Sequence, residues 1–455
     1  MELDFGKKLI VKKNFRDAEK IFLKLLNNKR ESFEINYFLG LIYFELKDTK
    51  KSFFHYNECL RAKPNSIKIF LNLANLEQNL GNIEKAKEIY LKILNLDKNV
   101  IRAYYGLYLL DPKHIDKNHH LNILEINNNL NSNIVDKFLS NFLLSKIEQR
   151  EKKYDSEFKY LEKAHADCFK SRNDYNLQSQ HYYTNIISKY YNKLVFTNSG
   201  KKKNYFANLS PIFIVGLPRS GSTLTEAILT SGHSNSISFG ESAIINMAIL
   251  DQLPKEYFNK SFNMEEELFI KSNVLEEFIY KKYKQFAPLN DKDLVIIDKS
   301  LENFLNIEFI LEIFPNAKFL HCNRNLKDSV IAIYQSLLPE LSWTHKIEDI
   351  LCYINNYLKI INFFKKKYSE KILDISLEKF TNHKEKVSKI IYEFCNLQWD
   401  SKTLEFYNRK DLDIRTTSNI QLRTKIREYD HEKYKKYYYL FQNFSEKFNW
   451  ISDEY

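Results

Sequence analysis

The chain has 455 residues, 44% of them hydrophobic and 15% aromatic, with a formal net charge of +11. That length exceeds a single compact core and that composition excludes a disordered or fibrous chain, so two or three globular domains are expected. No apolar run reaches the roughly 18 residues a membrane-crossing helix needs, and the opening MELDFGKKLIVKKNF lacks the apolar stretch of a signal peptide.

The first predicted elements repeat. Phe33 to Ser66 and Ile67 to Val100 are each 34 residues long. Leu39, Leu73 and Leu107 recur at that spacing, as do Ala18, Ser52 and Ala86, and Phe22, Tyr56 and Tyr90. Small residues recur where two helices of a hairpin must approach closely, and aromatics fill the hole beside them. Gly40, Pro64 and Gly81 fall at turn and packing positions of the same period. The pattern resembles a tetratricopeptide array, with two full repeats flanked by partial ones, whose units bury their apolar faces only by stacking. Residues 1–110 are read as this array and 111–200 as a degenerate, helical extension. The polar TNSGKKKNYFANLS (197–210) reads as a solvated linker, its lysines no nucleic-acid patch.

After Ser210 the period changes. Apolar runs PIFIV (211–215), DLVIID (293–298), AKFLHC (317–322) and KILDIS (371–376) alternate with helical patterns such as LENFLNIEFILEIF and EDILCYINNYLKIINFFKKKY. This predicts an α/β domain over 206–455 with a parallel sheet whose ligand lies at the carboxyl ends of the strands. The fold class is therefore an all-α repeat superhelix followed by a P-loop-like α/β domain. Five scattered cysteines, Cys59, Cys168, Cys322, Cys352 and Cys395, argue against a disulfide framework or zinc site and for a reducing, cytoplasmic setting.

The segment PIFIVGLPRSGSTLTEAIL (211–229) is nearly the phosphate loop GxxxxGK[ST], without the lysine. Gly216 and Gly221 allow a tight path, and consecutive amides lead to a helix N-terminus that favours an anion. Ser220, Ser222 and Thr223 add hydroxyls and Arg219 a fixed charge. This cradle suits one phosphate better than a metal–triphosphate. Asp298 is the best strand-end carboxylate for a metal, yet Lys299 follows it directly. His233 after Gly232 reads as a helix cap, and KYKKYYYLF (433–441) as a helix packed on the sheet.

These residues resemble the sulfotransferase family, and within it the tyrosylprotein sulfotransferase branch, over about residues 16 to 440. PRSGST is similar to the family's 5′-phosphosulfate loop. FGES places the family's general base at Glu241, and IIDKSLENFLN its active-site lysine at Lys299. FPNAKFLHCNRNLKDSV places the 3′-phosphate arginine at Arg324, and RTTSNIQLRTKIREYDHEKY resembles a loop closing over the donor, with Ser418 and Lys433 at contact positions. Departures stand beside these matches. Ala332 occupies the position of a serine that follows the arginine, with Ser329 one turn nearer as its substitute. Leu377 replaces a tyrosine, and Glu432-Lys433-Tyr434 stands for Gly-Arg-Trp.

The resemblance implies 3′-phosphoadenosine 5′-phosphosulfate as co-substrate, no metal, and transfer to an acceptor hydroxyl, including tyrosine in a protein or peptide presented by the repeats. Glu241, Lys299 and Arg219 would be catalytic. Arg219, Ser220, Gly221, Ser222, Thr223, Arg324, Ser329, Ser418 and Lys433 would hold the donor. The alternatives are a repeat scaffold with an inactive α/β domain, and a nucleotide triphosphatase, which the missing lysine opposes.

Overall fold

The structure, a computed structural model, describes residues 2–28, 32–191, 194–197, 205–206, 209–232, 235–252, 268–289, 294–409, 415 and 420–452. Ser418 and His233 lie outside the described residues. The chain divides into two compact units: Met1–Tyr160 with Lys282–Ala287 and Arg409–Arg423, and Leu161–Lys281 with Pro288–Asn408 and Thr424–Tyr455.

In the first unit α1 (Glu2–Val11) pairs with α2 (Phe15–Asn28), α3 (Phe33–Glu45) with α4 (Thr49–Ala62), and α5 (Ile67–Asn79) with α6 (Ile83–Leu96). The periodic positions of the sequence are the packing positions. Ala18, Ser52 and Ala86 are fully buried, and Phe22, Tyr56 and Tyr90 are at most 1% exposed. Phe22 and Tyr56 each lie over a small residue of the first helix of their hairpin. A Cβ on Gly40 would stand 2.5 Å from Tyr56 Cε1, and one on Gly6 2.8 Å from Phe22 Cε2. Gly6 and Gly40 are also 34 residues apart, so the repeat already begins in α1. The Ser52 hydroxyl locks the hairpin by donating to Gly40 O at 2.9 Å. Ser32 and Asp48 cap α3 and α4 through Ile35 N and Lys51 N.

Two distant segments complete this unit. Lys282, 5% exposed, donates to Asn14 Oδ1 at 2.6 Å and to Lys12 O. Phe286 packs edge-on to Phe15. Arg415 donates to Phe44 O at 2.6 Å with its guanidinium 4.1 Å from that ring's centroid. Arg423 donates to Asn79 O at 2.8 Å. Phe44 and Asn79 end the first helices of successive repeats, where carbonyls lack intrahelical partners and favour cations.

The second unit is built on a five-stranded, wholly parallel sheet and a separate parallel pair. The strands are β1 (Leu194–Thr197), β2 (Ile212–Gly216), β3 (Ser236–Ser238), β4 (Leu268–Lys271), β5 (Val295–Asp298), β6 (Lys318–Asn323) and β7 (Ile372–Ser376). The main order is β3-β5-β2-β6-β7, and β1 pairs with β4. Every residue of β2 is buried, as a central strand covered on both faces requires. Phe213 stacks on Phe319 with centroids 5.4 Å apart, and Phe314 lies against Phe213. The chain leaves β2 for β3 and β5 on one side, then crosses to β6 and β7 on the other. The switch point is therefore the carboxyl end of β2, where a ligand crevice opens.

The four strands expected from the sequence are β2, β5, β6 and β7, shifted by one or two residues. The remaining three, β1, β3 and β4, have only three or four residues each, too few to show a period. The 197–210 stretch is not solvated throughout, because Phe206 is fully buried, 4.4 Å from Phe314, and Tyr205 stacks on Tyr280. The tyrosine-rich segment forms a 3₁₀ helix, Lys435–Phe444, whose Tyr438 bonds Asp328 of the helix after β6. Free thiols stand at all five cysteines.

Gly40→Val forces methyl groups into the Tyr56 ring and is expected to destabilise the first unit by about 1–3 kcal/mol, read as a lowered thermal midpoint. Combined with Tyr56→Ala, the two losses should fall short of their sum, because the clash disappears with the ring.

Candidate functional site

Four loops converge at the carboxyl ends of β2, β5 and β6 and after β3. The loop after β2 turns twice into unusual backbone: Gly216 has φ +143° and Gly221 φ +91°, and Arg219 between them adopts φ +67°. A Cβ on Gly216 would lie 2.2 Å from Cys322 O, so only glycine lets β2 leave the sheet beside β6. The Ser220 hydroxyl donates to Leu217 O at 2.7 Å, folding the loop on itself. The helix Ser222–Gly232 then begins, with Ser222 and Thr223 in its first turn. Thr225 holds it against β6 through Cys322 Sγ at 3.3 Å. Burial pushes the Cys322 thiol up to about 12, so it offers no thiolate.

Lys299, directly after β5, is fully buried. Its Nζ donates to Glu241 Oε1 at 2.7 Å and stands 3.4 Å from Glu226 Oε2. Burial favours the neutral amine, but the two carboxylates outweigh it and the lysine pKa is raised. Glu226 is itself held by the Ser238 hydroxyl, which also accepts from Gly240 N at 3.0 Å. Gly240 O in turn accepts from Lys299 N at 3.0 Å. Glu241, by contrast, is 57% exposed along its side chain. The geometry is a buried cation that fixes one exposed carboxylate and one sheltered carboxylate.

Asp298 ends β5 and is fully buried. It accepts from Ser300 N at 2.9 Å and Asn303 Nδ2 at 3.1 Å. Its carboxylate therefore shapes the turn around Lys299. Among the described residues, no group of three or more His, Cys, Asp or Glu could hold a metal ion.

Arg324 follows β6. Its Nη1 donates to Arg219 O at 3.3 Å and its Nε to the Tyr429 hydroxyl at 2.7 Å. The phosphate-type loop and Arg324 are thereby in contact. Ser329 is fully buried and donates to Asn325 O at 2.9 Å, within its own helix. In this arrangement it aims no hydroxyl proton at a ligand. Lys433 is exposed, with Nζ 5.0 Å from the Tyr434 ring centroid.

The structure thus brings together Arg219, Ser220, Gly221, Ser222, Thr223 and Arg324 on one side, and Glu241 with Lys299 on the other. Sequence reasoning missed Glu226. Its signal was the one charge inside the otherwise uncharged helix segment STLTEAIL, one turn after the loop. It also missed Glu302, which accepts from Tyr183 at 2.7 Å and from Asn246 at 3.0 Å through one oxygen. Burial raises the Glu302 carboxyl to about 7 from its ordinary 4.5, the Tyr183 hydrogen bond pulling the other way.

A folded-state pKa above the unfolded one means that the folded state retains the proton while the unfolded state has lost it. Stability therefore falls as pH rises from about 4.5 to about 7. Glu302→Gln keeps an acceptor for Tyr183 and cannot ionise. Chemical denaturation at pH 5 and pH 8 should show a smaller drop for this variant than for the wild type.

Comparison with known proteins bears on the same residues. Residues 211–401 match the profile of the sulfotransferase family. Residues 33–66 and 67–100 match the tetratricopeptide repeat. An uncharacterized protein of Aquifex aeolicus (strain VF5) is 26% identical over 443 residues, 94% of this chain and 56% of its own length. The chain thus spans little more than half of that relative. The sulfotransferase domain from the curacin biosynthetic pathway is 18% identical, covering 47% of this chain and 86% of that one, with a TM-score of 0.33. A sulfotransferase from Alicyclobacillus acidocaldarius is 15% identical, covering 54% and 97%, with a TM-score of 0.30. By these profile matches, residues 33–100 carry two tetratricopeptide repeats and residues 211–401 a domain of the sulfotransferase family.

Proposed function

We propose that the α/β domain transfers a sulfuryl group from 3′-phosphoadenosine 5′-phosphosulfate to an acceptor hydroxyl, and that the acceptor is a tyrosine of a protein or peptide brought by the repeats. The observation that carries the reading is Lys299, buried between Glu226 and Glu241 beside a phosphate-type loop without its lysine.

The residues fit such a donor. The loop's amides lead to a helix N-terminus, with Ser222 and Thr223 in its first turn. Arg219, Arg324 and Lys433 supply positive charge to a ligand with two separate phosphates and no metal. When bound, the donor supplies the sulfuryl group and a phosphate as leaving group.

Glu241 is the base in this reading. It is the exposed member of its cluster, and it takes the proton from the acceptor hydroxyl as that oxygen bonds to sulfur. A phenol, with pKa about 10, holds its proton too firmly for a carboxylate to remove it beforehand, so the two events are concerted. An ammonium has three donors, and Glu241 and Glu226 engage two of those on Lys299. The third is available to the oxygen on which negative charge develops, and Arg219 adds charge on the loop side. Positioning and charge stabilisation of this kind do most of the work in such in-line transfers.

Glu241→Gln preserves shape and removes the base. Binding of 3′,5′-bisphosphoadenosine, measured calorimetrically without metal, should be unchanged, while turnover falls about 10²–10⁴-fold. Retention of most activity would remove Glu241 from this role. Selective binding of the bisphosphate over ATP and 5′-AMP supports the donor class. Binding without any transfer would instead favour the scaffold reading, toward which Ala332 points.

A further inference from the structure

The helix after β6, Leu326–Tyr334, has no hydroxyl ready for a phosphate beside Arg324. Ala332 is buried and has none, and the Ser329 hydroxyl donates to Asn325 O. Hydroxyls do reach Arg324, but they come from another part of the chain. The Arg324 side chain is only 8% exposed. Its guanidinium carbon lies 5.1 Å from the Tyr429 ring centroid and 4.8 Å from that of Tyr434.

The two tyrosines are held differently. The Tyr429 hydroxyl accepts from Arg324 Nε at 2.7 Å and donates to Asp328 Oδ2. Asp328 is fixed from its other side by Tyr438, which donates to Oδ1 at 2.7 Å. Both the oxygen and the proton of Tyr429 are thereby engaged. The Tyr434 ring faces both the Arg324 guanidinium and Lys433 Nζ, the latter 5.0 Å from its centroid. Arginine and lysine can only donate, so neither takes the Tyr434 proton. Burial opposes ionisation of this phenol, but the charges of Lys433 and Arg324 prevail and its pKa is lowered. A phenol so polarised is a strong donor to an anion. Arg324 itself retains N–H groups beyond its bonds to Tyr429 and Arg219, since a guanidinium carries five donors.

We propose that Tyr434, with Lys433 beside it, completes the 3′-phosphate site around Arg324, its hydroxyl donating where Ala332 offers none, while Tyr429 and Asp328 position the guanidinium. This rests on the reading of the domain as a user of a 3′-phosphorylated donor. It assigns Tyr434 as a ligand-binding residue and Tyr429 as a positioning residue. It also accounts for the joint departures in the sequence: a hydroxyl absent from the helix after β6 and a tyrosine following Lys433.

The test compares calorimetric affinities for 3′,5′-bisphosphoadenosine and 5′-AMP without metal, in the full chain. Tyr434→Phe keeps the ring and removes the hydroxyl. It should weaken the bisphosphate about tenfold to a hundredfold, the size of one hydrogen bond to a charged group, and leave 5′-AMP within about twofold. Lys433→Met, at an exposed position that the fold does not need, should shift the ratio in the same direction. Tyr429→Phe should lower the ratio as well, whereas mere loosening of the fold would weaken both nucleotides alike. Adding Ala332→Ser to Tyr434→Phe should restore part of the preference. If the wild type prefers the bisphosphate and neither Tyr434→Phe nor Lys433→Met changes the ratio, the assignment is overturned while the donor reading stands. A wild type without that preference overturns the donor reading itself.

Discussion

The site depends on one buried charge. A lysine ammonium withdrawn from water is costly unless anions surround it. Lys299 has no exposed surface, yet it lies within reach of two carboxylates. Around this requirement the neighbouring backbone is fixed. Ser238 holds Glu226, Gly240 turns with φ +59° so that its carbonyl meets Lys299 N, and Asp298 gathers Ser300 and Asn303. The one member left in solvent is Glu241, and that asymmetry separates a reactive carboxylate from a structural one. Removing either acid leaves the lysine under-compensated, so stability and chemistry are coupled here.

The second half of the site obeys a different constraint. Arg324 is shielded by aromatic rings, a setting a guanidinium tolerates because it is planar and weakly hydrated. Asp328 does not pair with it closely: the nearest approach is 3.9 Å. The carboxylate instead orders the hydroxyls of Tyr429 and Tyr438, and Tyr429 orders the arginine. A flexible cation is thereby held in one orientation without being neutralised.

How much of this was legible in the sequence follows from the physics of each element. The repeat was legible because tight helix pairing needs the same small and large residues at the same places, and Ser52 over Gly40 or Tyr56 beside it can be read from spacing. β2, β5, β6 and β7 were legible as apolar runs bounded by turns. β3, the polar triplet SIS, was not, because three residues carry no period and its role is to place Ser238 near Glu226. The loop and the order of Glu241, Lys299 and Arg324 were visible as a pattern. The partners that make them work were not: Glu226 looks like any helical acid, and the tyrosines over Arg324 come from about a hundred residues later. Ser329 was a reasonable substitute by spacing, but a serine in a helix can turn back to the carbonyl four residues before it, and this one bonds Asn325 O.

The first unit is not a continuous piece of chain. Its helices occupy the amino-terminal portion, yet the carbonyls of Lys12, Phe44 and Asn79 find their donors in Lys282, Arg415 and Arg423. During synthesis at about 5–20 residues per second, the repeats leave the ribosome roughly 10–50 s before the last of these donors exists. For that interval these carbonyls lack the side-chain donors that the finished unit gives them. The repeats are thus completed only after residues 282–423 have been made, and their maturation is timed by translation of a segment far along the chain.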